Sequence, residues 1–126
     1  MVGIQPILNV HFYASEKGRE PVREWLKGLS KEDKKKIGED IKTAQFGWPL
    51  GMPLIRKMGD GFWEVRTSIK DGIVRIFFTV DENKMILVHH FIKKSQSTPD
   101  HELETAKQRI KNYFGGSDEK QKTPRK

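Results

Sequence analysis

The segment from Gly61 to Pro99 begins with two alternating runs of β-forming residues separated by Asp71-Gly72. Asp-Gly is a strong signal for a two-residue hairpin turn, because both residues tolerate the positive φ that such a turn requires. With this dipeptide as the loop, Lys70 pairs with Ile73. One face of the hairpin is then almost wholly apolar and consists of Trp63, Val65, Thr67 and Ile69 opposite Val80, Phe78, Ile76 and Val74. Because a face of this kind must be buried, the pattern predicts a sheet covered by helices.

The opposite face of this hairpin carries charged side chains. Arg66 and Arg75 become diagonal neighbours there, within reach of one bound group, and Glu64 shares the face. Two permanent cations in this arrangement are suited to binding phosphate. The same pattern is also typical of solvated cations paired with Glu64 and nearby acids, where each surface pair contributes about 0–1 kcal/mol. The pattern alone leaves both interpretations open.

A third strand follows a turn near Glu82-Asn83, and its register decides which side chains join the arginines. A two-residue loop would place one set beside Arg75, namely His90, Ile92 and Lys94. A loop longer by one residue would place the alternate set there, namely His89, Phe91 and Lys93. We favour the first register because it sends Leu87 and Phe91 to the core.

Helical patterns lie on both sides of this sheet. Pro21 suits the first turn of one helix, and Ser30 is a good N-cap for a second helix that runs to about Phe46. The apolar stripe of the second helix consists of Ile37, Ile41 and Ala44. The last helix starts at Pro99, ends at Gly115-Gly116, and has its stripe at Leu103, Ala106, Ile110 and Phe114.

These elements, with a short strand at Val10–Tyr13, predict a single α+β domain over residues 1–114. Its antiparallel sheet is packed by two N-terminal helices and one C-terminal helix. Residues 115–126 contain no large apolar side chain and are predicted to be a disordered basic tail.

The net charge of the 126-residue chain is +7. The tail holds four Lys or Arg and two acids, a net charge of +2, which leaves +5 in residues 1–114. The folded part therefore carries most of the excess, which favours a polyanionic partner.

Other composition features narrow the class of protein. The chain has no Cys, so it has neither a disulfide framework nor a thiolate metal site. His89 and His90 are adjacent in a strand and point to opposite faces, and no third ligand is suitably spaced, so we expect no metal and no cofactor. No apolar run approaches the roughly 20 residues that span a bilayer, and no secretory signal is evident, so we expect a cytoplasmic protein without membrane contact.

Three parts of the chain together resemble a known family. They are the opening FYxxxxGREPVREWL, the strand pair FWEVR and VRIFFTVD, and the block HFIKKSQSTP followed by ELxxAKxRI. They are similar to the HigB-like, often phage-derived, branch of the RelE/ParE toxin superfamily over about residues 8–114. The resemblance implies a compact RelE-like fold and the toxin half of a type II toxin–antitoxin pair. The implied partners are a helix-turn-helix antitoxin of the HigA type, the ribosome and mRNA.

The resemblance also assigns candidate site residues. Relatives place functional cations at the position of Arg66, at that of Arg75, and at the basic pair Lys93-Lys94. His101 is the candidate in the first turn of the last helix. Where some relatives have Lys, this chain has Glu64.

Cleavage of RNA by its own 2′-hydroxyl needs a base, an acid and cations that stabilise the phosphorane. Within the sequence, Arg66, Arg75 and Lys94 are the catalytic cations, and His90 and Glu64 are candidates for proton transfer. Lys93 joins Arg66 and Lys94 as an RNA-binding residue. The predicted activity is a ribosome-dependent mRNA endoribonuclease that inhibits translation.

Two further functions fit the same residues. ParE-like members of the superfamily inhibit DNA gyrase by binding it and do not cut RNA. A simple RNA-binding domain without catalysis is the third possibility. The basic face favours the nuclease over the gyrase inhibitor.

Overall fold

The computed structural model describes residues 5–93 and 98–115, and of Lys93 it describes only the backbone. Lys94 and residues 116–126 of the predicted tail lie outside the described residues. The described elements are β1 (Asn9–Phe12), α1 (Pro21–Lys27), α2 (Lys31–Gly47), β2 (Ile55–Gly59), β3 (Phe62–Ile69), β4 (Gly72–Asp81), β5 (Lys84–Lys93) and α3 (Asp100–Gly115).

The strands form one five-stranded sheet in the order β1-β5-β4-β3-β2. Strand β1 runs parallel to β5 and the other pairs are antiparallel, so the sheet is mixed and the prediction of an antiparallel sheet is wrong at this edge. The sequence pattern also missed β2, whose exposed Arg56 and Lys57 obscure a β pattern. Charged residues of this kind are typical of edge strands, which they protect from pairing with other chains.

The β3–β4 hairpin has the predicted faces but a different register. Ile69 pairs with Gly72, so the loop is Lys70-Asp71, and Arg66 lies directly opposite Arg75 rather than diagonally. Gly72 opens β4 with φ 142°, a conformation that favours glycine. The register differs from the predicted one by two residues, and a shift of two keeps every side chain on its face. The alternating pattern could not distinguish the two registers.

A β-bulge changes the faces of β5. The turn has the predicted two-residue loop, since Asp81 pairs with Lys84 and Phe78 with Leu87. Beyond the bulge Phe77 pairs with His89 and Arg75 with Phe91, so Val88 is the extra residue. Phe91 therefore lies beside Arg75, and the prediction that His90 and Ile92 lie there is wrong.

The helices begin where the sequence predicts. The Ser30 hydroxyl accepts a hydrogen bond from the Asp33 backbone N–H at 3.1 Å, which confirms the N-cap of α2. The stripe Ile37, Ile41 and Ala44 is buried as predicted. In α3 the C-terminal end of the stripe is wrong, because Phe114 is exposed and Tyr113 packs against the sheet instead. No helix in the described ranges is both long and apolar enough to cross a membrane.

Both faces of the sheet are buried. Helices α1 and α2 cover the first face, where Val65, Val74, Ile76 and Phe78 meet Val22, Ile37, Ile41 and Ala44. Helix α3 covers the second face, where Phe77, Ile86, Val88 and Phe91 meet Leu103, Ala106 and Ile110. The arginine-bearing face is therefore a second core and not an open basic surface.

Candidate functional site

A buried ion pair lies on the α3 side of β3 and β4. The Arg75 guanidinium donates to Glu64 Oε1 at 2.6 Å, and the side chains are 5% and 0% exposed. Burial of a single charge would be costly, so each of these two groups depends on the other. Glu64 is thus bonded within the protein, with neither oxygen open to solvent as a base would require.

Arg66 is the exposed member of this cluster. Its Nε lies 3.8 Å from the same Glu64 oxygen, its side chain is 25% exposed, and its Nη1 contacts Met52 Sδ at 3.9 Å. The backbone N–H of Arg66 donates to the Leu54 carbonyl and fixes the residue at the junction with β2. Two guanidinium groups share one carboxylate, so the cluster keeps one net positive charge.

Several buried atoms of the cluster have unused hydrogen-bonding capacity. Glu64 Oε2, Arg66 Nε and Arg75 Nε have no hydrogen-bond partner within the parts of the chain that the structure describes. Buried polar atoms are usually satisfied by protein, water or ligand. These atoms are themselves buried, so a ligand would reach the cluster through the exposed part of Arg66.

An open pocket of about 440 Å³ adjoins Arg66. Its walls come from α2, from the chain before β2, and from β3, and they include Lys36, Glu39, Asp40, Leu54 and Thr67. The pocket gives Arg66 a concave surrounding, in which the cations Lys36 and Arg66 lie together with the carboxylates Glu39 and Asp40.

His90 faces away from the arginines. Its ring stacks on Trp25 of α1, with centroids 4.1 Å apart and planes 7° from parallel. Burial, with smaller effects from the charges of His89 and Arg109, lowers the pKa of His90 to about 4. The residue is neutral at pH 7 and lies on the other side of the sheet from Arg66, so it is not assembled with the predicted cations.

His89 joins β5 to α3. Its Nε2 lies 2.6 Å from Glu102 Oε1, and an Arg109 N–H points at its Nδ1 from 3.4 Å. Burial lowers the pKa of His89 more than the Glu102 carboxylate raises it. A neutral ring that donates from Nε2 and accepts at Nδ1 satisfies both neighbours. His89 is thus a partly buried histidine whose two ring nitrogens both face side chains of α3.

Glu102 also contacts a second imidazole. Its other oxygen, Oε2, lies 3.3 Å from His101 Nε2, and the His101 side chain is 78% exposed. Sequence reasoning did not single out Glu102, although an acid in the first turn of α3 next to His101 is visible in the sequence. A carboxylate that orients an exposed imidazole is a usual arrangement for proton transfer.

The structure thus brings together only part of the predicted site. Glu64, Arg66 and Arg75 lie in one cluster, and His90 lies on the opposite face. The Lys93 backbone pairs with Ile73 at the end of β5, whereas the Lys93 side chain and Lys94 lie outside the described residues. In residues 5–93 and 98–115 no group of three His, Asp or Glu is placed to hold a metal ion.

Comparison with known proteins supplies the family. No curated protein matches the chain significantly. The family model described as Phage derived protein Gp49-like (DUF891) matches residues 24–111, which run from within α1 to within α3 and include Glu64, Arg66 and Arg75. This family is associated with RelE- and HigB-type toxins. The chain belongs to the phage-derived, toxin-like Gp49-like family.

Proposed function

We propose that this protein is the toxin of a type II toxin–antitoxin pair and acts in the cytoplasm as a ribosome-dependent mRNA endoribonuclease. Membership of a toxin-like family supports the first half of the proposal. The observation that carries the second half is Arg66, a partly exposed guanidinium held beside a buried carboxylate and opening on a pocket. Its proposed partners are mRNA, the ribosome and a helix-turn-helix antitoxin.

Arg66 is the proposed phosphate contact. In the reaction the 2′-oxygen attacks phosphorus, the 5′-oxygen leaves, and a cyclic phosphate and a 5′-hydroxyl result. Negative charge grows on the phosphoryl oxygens in the transition state, and a guanidinium can donate two parallel hydrogen bonds to them. A fixed cation of this kind is able to contribute several kcal/mol to the transition state.

Glu64 and Arg75 are proposed as positioning residues. Their pair is buried, and Glu64 Oε1 also lies 3.8 Å from Arg66 Nε and so attracts the Arg66 guanidinium. We assign proton transfer to His101, which is exposed and is held by Glu102. Lys93 and Lys94 remain proposed RNA contacts. These assignments replace the sequence-based roles of Glu64 and His90 as acid or base.

The test is in vitro translation followed by primer extension on the message. Wild-type protein should give cuts that require ribosomes. Arg66→Ala should remove them while the protein stays folded, and His101→Gln should slow them and change their pH profile. Arg19→Ala is the matched control, because Arg19 is an exposed cation on the loop before α1, remote in sequence from the cluster. Undiminished cutting by folded Arg66→Ala would overturn the site.

One observation favours ParE-like inhibition of DNA gyrase as the second candidate. Arg75 and Glu64 neutralise each other in the interior and His90 faces α1, so neither residue that the sequence predicted for proton transfer is free to act beside Arg66. A toxin that acts by binding a protein needs no such base. Gyrase-dependent DNA breaks, with no ribosome-dependent RNA cuts, would establish this alternative.

A further inference from the structure

A narrow groove runs between α1 and α2, on the opposite side of the sheet from Arg66. Its apolar walls come from β1, α1 and α2 and consist of Phe12, Leu26, Ile37 and Ile41. Its volume of about 290 Å³ is just below the roughly 300–1,000 Å³ typical of small-molecule pockets. A groove of this size and polarity is suited to a few apolar side chains of another protein.

Gly38 lies in the wall of this groove, in the middle of α2. Glycine in a helix interior is less stable than alanine by about 0.8–1.0 kcal/mol. The backbone of Gly38 does not adopt a positive φ, and a Cβ built on it meets no other atom within 4 Å. Neither the backbone conformation nor the packing of the chain therefore requires glycine here. The absence of a side chain leaves room for a second backbone to approach α2 closely.

The rim of the groove is basic. Arg23, Lys27 and Lys34 line it, and none of its lining residues within 5–93 and 98–115 is a carboxylate. Arg23 is paired with Glu20 at 3.0 Å at the start of α1, and Lys27 interacts more weakly with Glu24. Lys34 has no ion pair in the part of the chain that the structure describes. An occupant with apolar side chains flanked by acidic residues would complement both the walls and the rim.

We propose that this groove binds an acidic amphipathic helix of the antitoxin, seated against Gly38. The proposal rests on the proposed function, since it gives the toxin's partner its docking surface. Helices that place an apolar face in a hydrophobic groove are a recurrent mode of recognition. The groove shares no lining residue with the pocket beside Arg66, so the two can be altered separately.

The test combines growth arrest with rescue by the antitoxin encoded beside the toxin gene. Gly38→Leu fills the groove and favours the helix, so its thermal midpoint should not fall. It should still arrest growth, but rescue should be lost and antitoxin affinity should weaken at least tenfold. Lys27→Glu/Lys34→Glu should weaken affinity similarly. Lys35→Glu/Lys42→Glu is the matched control, with the same charge change on α2 outside the groove, and should be rescued like wild type.

The outcomes separate this inference from the proposed function. If the wild-type protein does not arrest growth, the proposed function fails. If Gly38→Leu arrests growth and is rescued like wild type, the docking site fails and the toxin assignment stands. Loss of rescue in the control pair as well would show a general charge effect and would also overturn the groove. If Lys27→Glu/Lys34→Glu binds RNA more weakly but binds the antitoxin like wild type, the basic rim is an RNA contact and the proposed docking site is wrong.

Discussion

The burial of His90 against Trp25 makes the free energy of unfolding depend on pH in a predictable direction. Burial lowers the pKa of His90 from 6.5 to about 4 in the folded protein. The unfolded chain therefore binds a proton at this residue at a higher pH than the folded protein does. The stabilisation is complete above about pH 6.5 and is progressively lost as the pH falls towards about 4, because protonation then favours the unfolded state.

The size of this effect follows from the shift. At about 1.36 kcal/mol per pKa unit, lowering the pH from about 7.5 to about 5 should reduce the free energy of unfolding through His90 by about 2 kcal/mol. Because His90 is only partly buried, screening by solvent reduces the expected loss to about 1–2 kcal/mol. Neighbouring charges, namely those of His89, Arg109 and Glu102, change this number less than burial does.

The assay is urea unfolding of wild type and His90→Phe at both pH values. Phe keeps an aromatic ring against Trp25 but cannot bind a proton. The variant should therefore lose about 1–2 kcal/mol less than wild type between the two conditions, while all other titrating groups cancel in the comparison. Equal losses in the two proteins would refute the reasoning, as would an NMR titration that places the folded-state pKa of His90 at or above 6.5.

Three other predictions concern the α3 side of the sheet. Glu64→Ala should lower the free energy of unfolding by about 3–5 kcal/mol, because Arg75 is left buried without its partner. The double variant Glu64→Leu/Arg75→Met should recover most of this free energy. A loss below about 1 kcal/mol for Glu64→Ala in urea unfolding would contradict the buried pair. Arg66→Ala should reduce the slope of log affinity for single-stranded RNA against log salt concentration by about 0.7, the value for one phosphate contact. An unchanged slope in filter binding would show that Arg66 is a solvated cation that does not contact phosphate. Burial, together with the hydrogen bond to Asp81, raises the pKa of Tyr113 to about 12. Asp81→Asn should therefore lower the midpoint of the Tyr113 titration followed by ultraviolet absorbance. An unchanged midpoint would show that the hydrogen bond is not formed in solution.

The helices were accessible to sequence reasoning because their signals are local. Ser30 caps α2 through a bond to the residue three positions later, and the stripe of α2 repeats at helical spacing. Pro21 fixes the start of α1 in the same way. Such features depend on neighbours within one turn and need no knowledge of the rest of the fold.

The faces of the hairpin were also predictable, but its register was not. Alternation places Arg66 and Arg75 on one face whichever of two registers forms. The observed choice of Lys70-Asp71 as the loop depends on turn conformation at Gly72, which the composition of the turn leaves open. The sequence could therefore predict that Arg66 and Arg75 are neighbours on one face, but not that they pair directly across the two strands.

The bulge at Val88 is bound by a long-range hydrogen bond that no local sequence pattern predicts. Arg109 of α3 donates to the Val88 carbonyl at 2.8 Å, at the residue that has no partner in β4. The two residues are far apart in the sequence, so the bond forms only once α3 lies on the sheet. This arrangement sends His89 to the arginine face and His90 to Trp25.

By itself, the sequence determined three helices, a β-hairpin with one apolar face, and a shared face for Glu64, Arg66 and Arg75. Only the tertiary structure decided that α3 covers that face, because its docking joins side chains more than ten residues apart, such as His89 with Glu102. On that face Arg75 and Glu64 are buried as a pair, whereas Arg66 stays partly open to solvent. The reason is physical: local patterns specify which way a side chain points, whereas exposure depends on what the remote parts of the chain place in front of it.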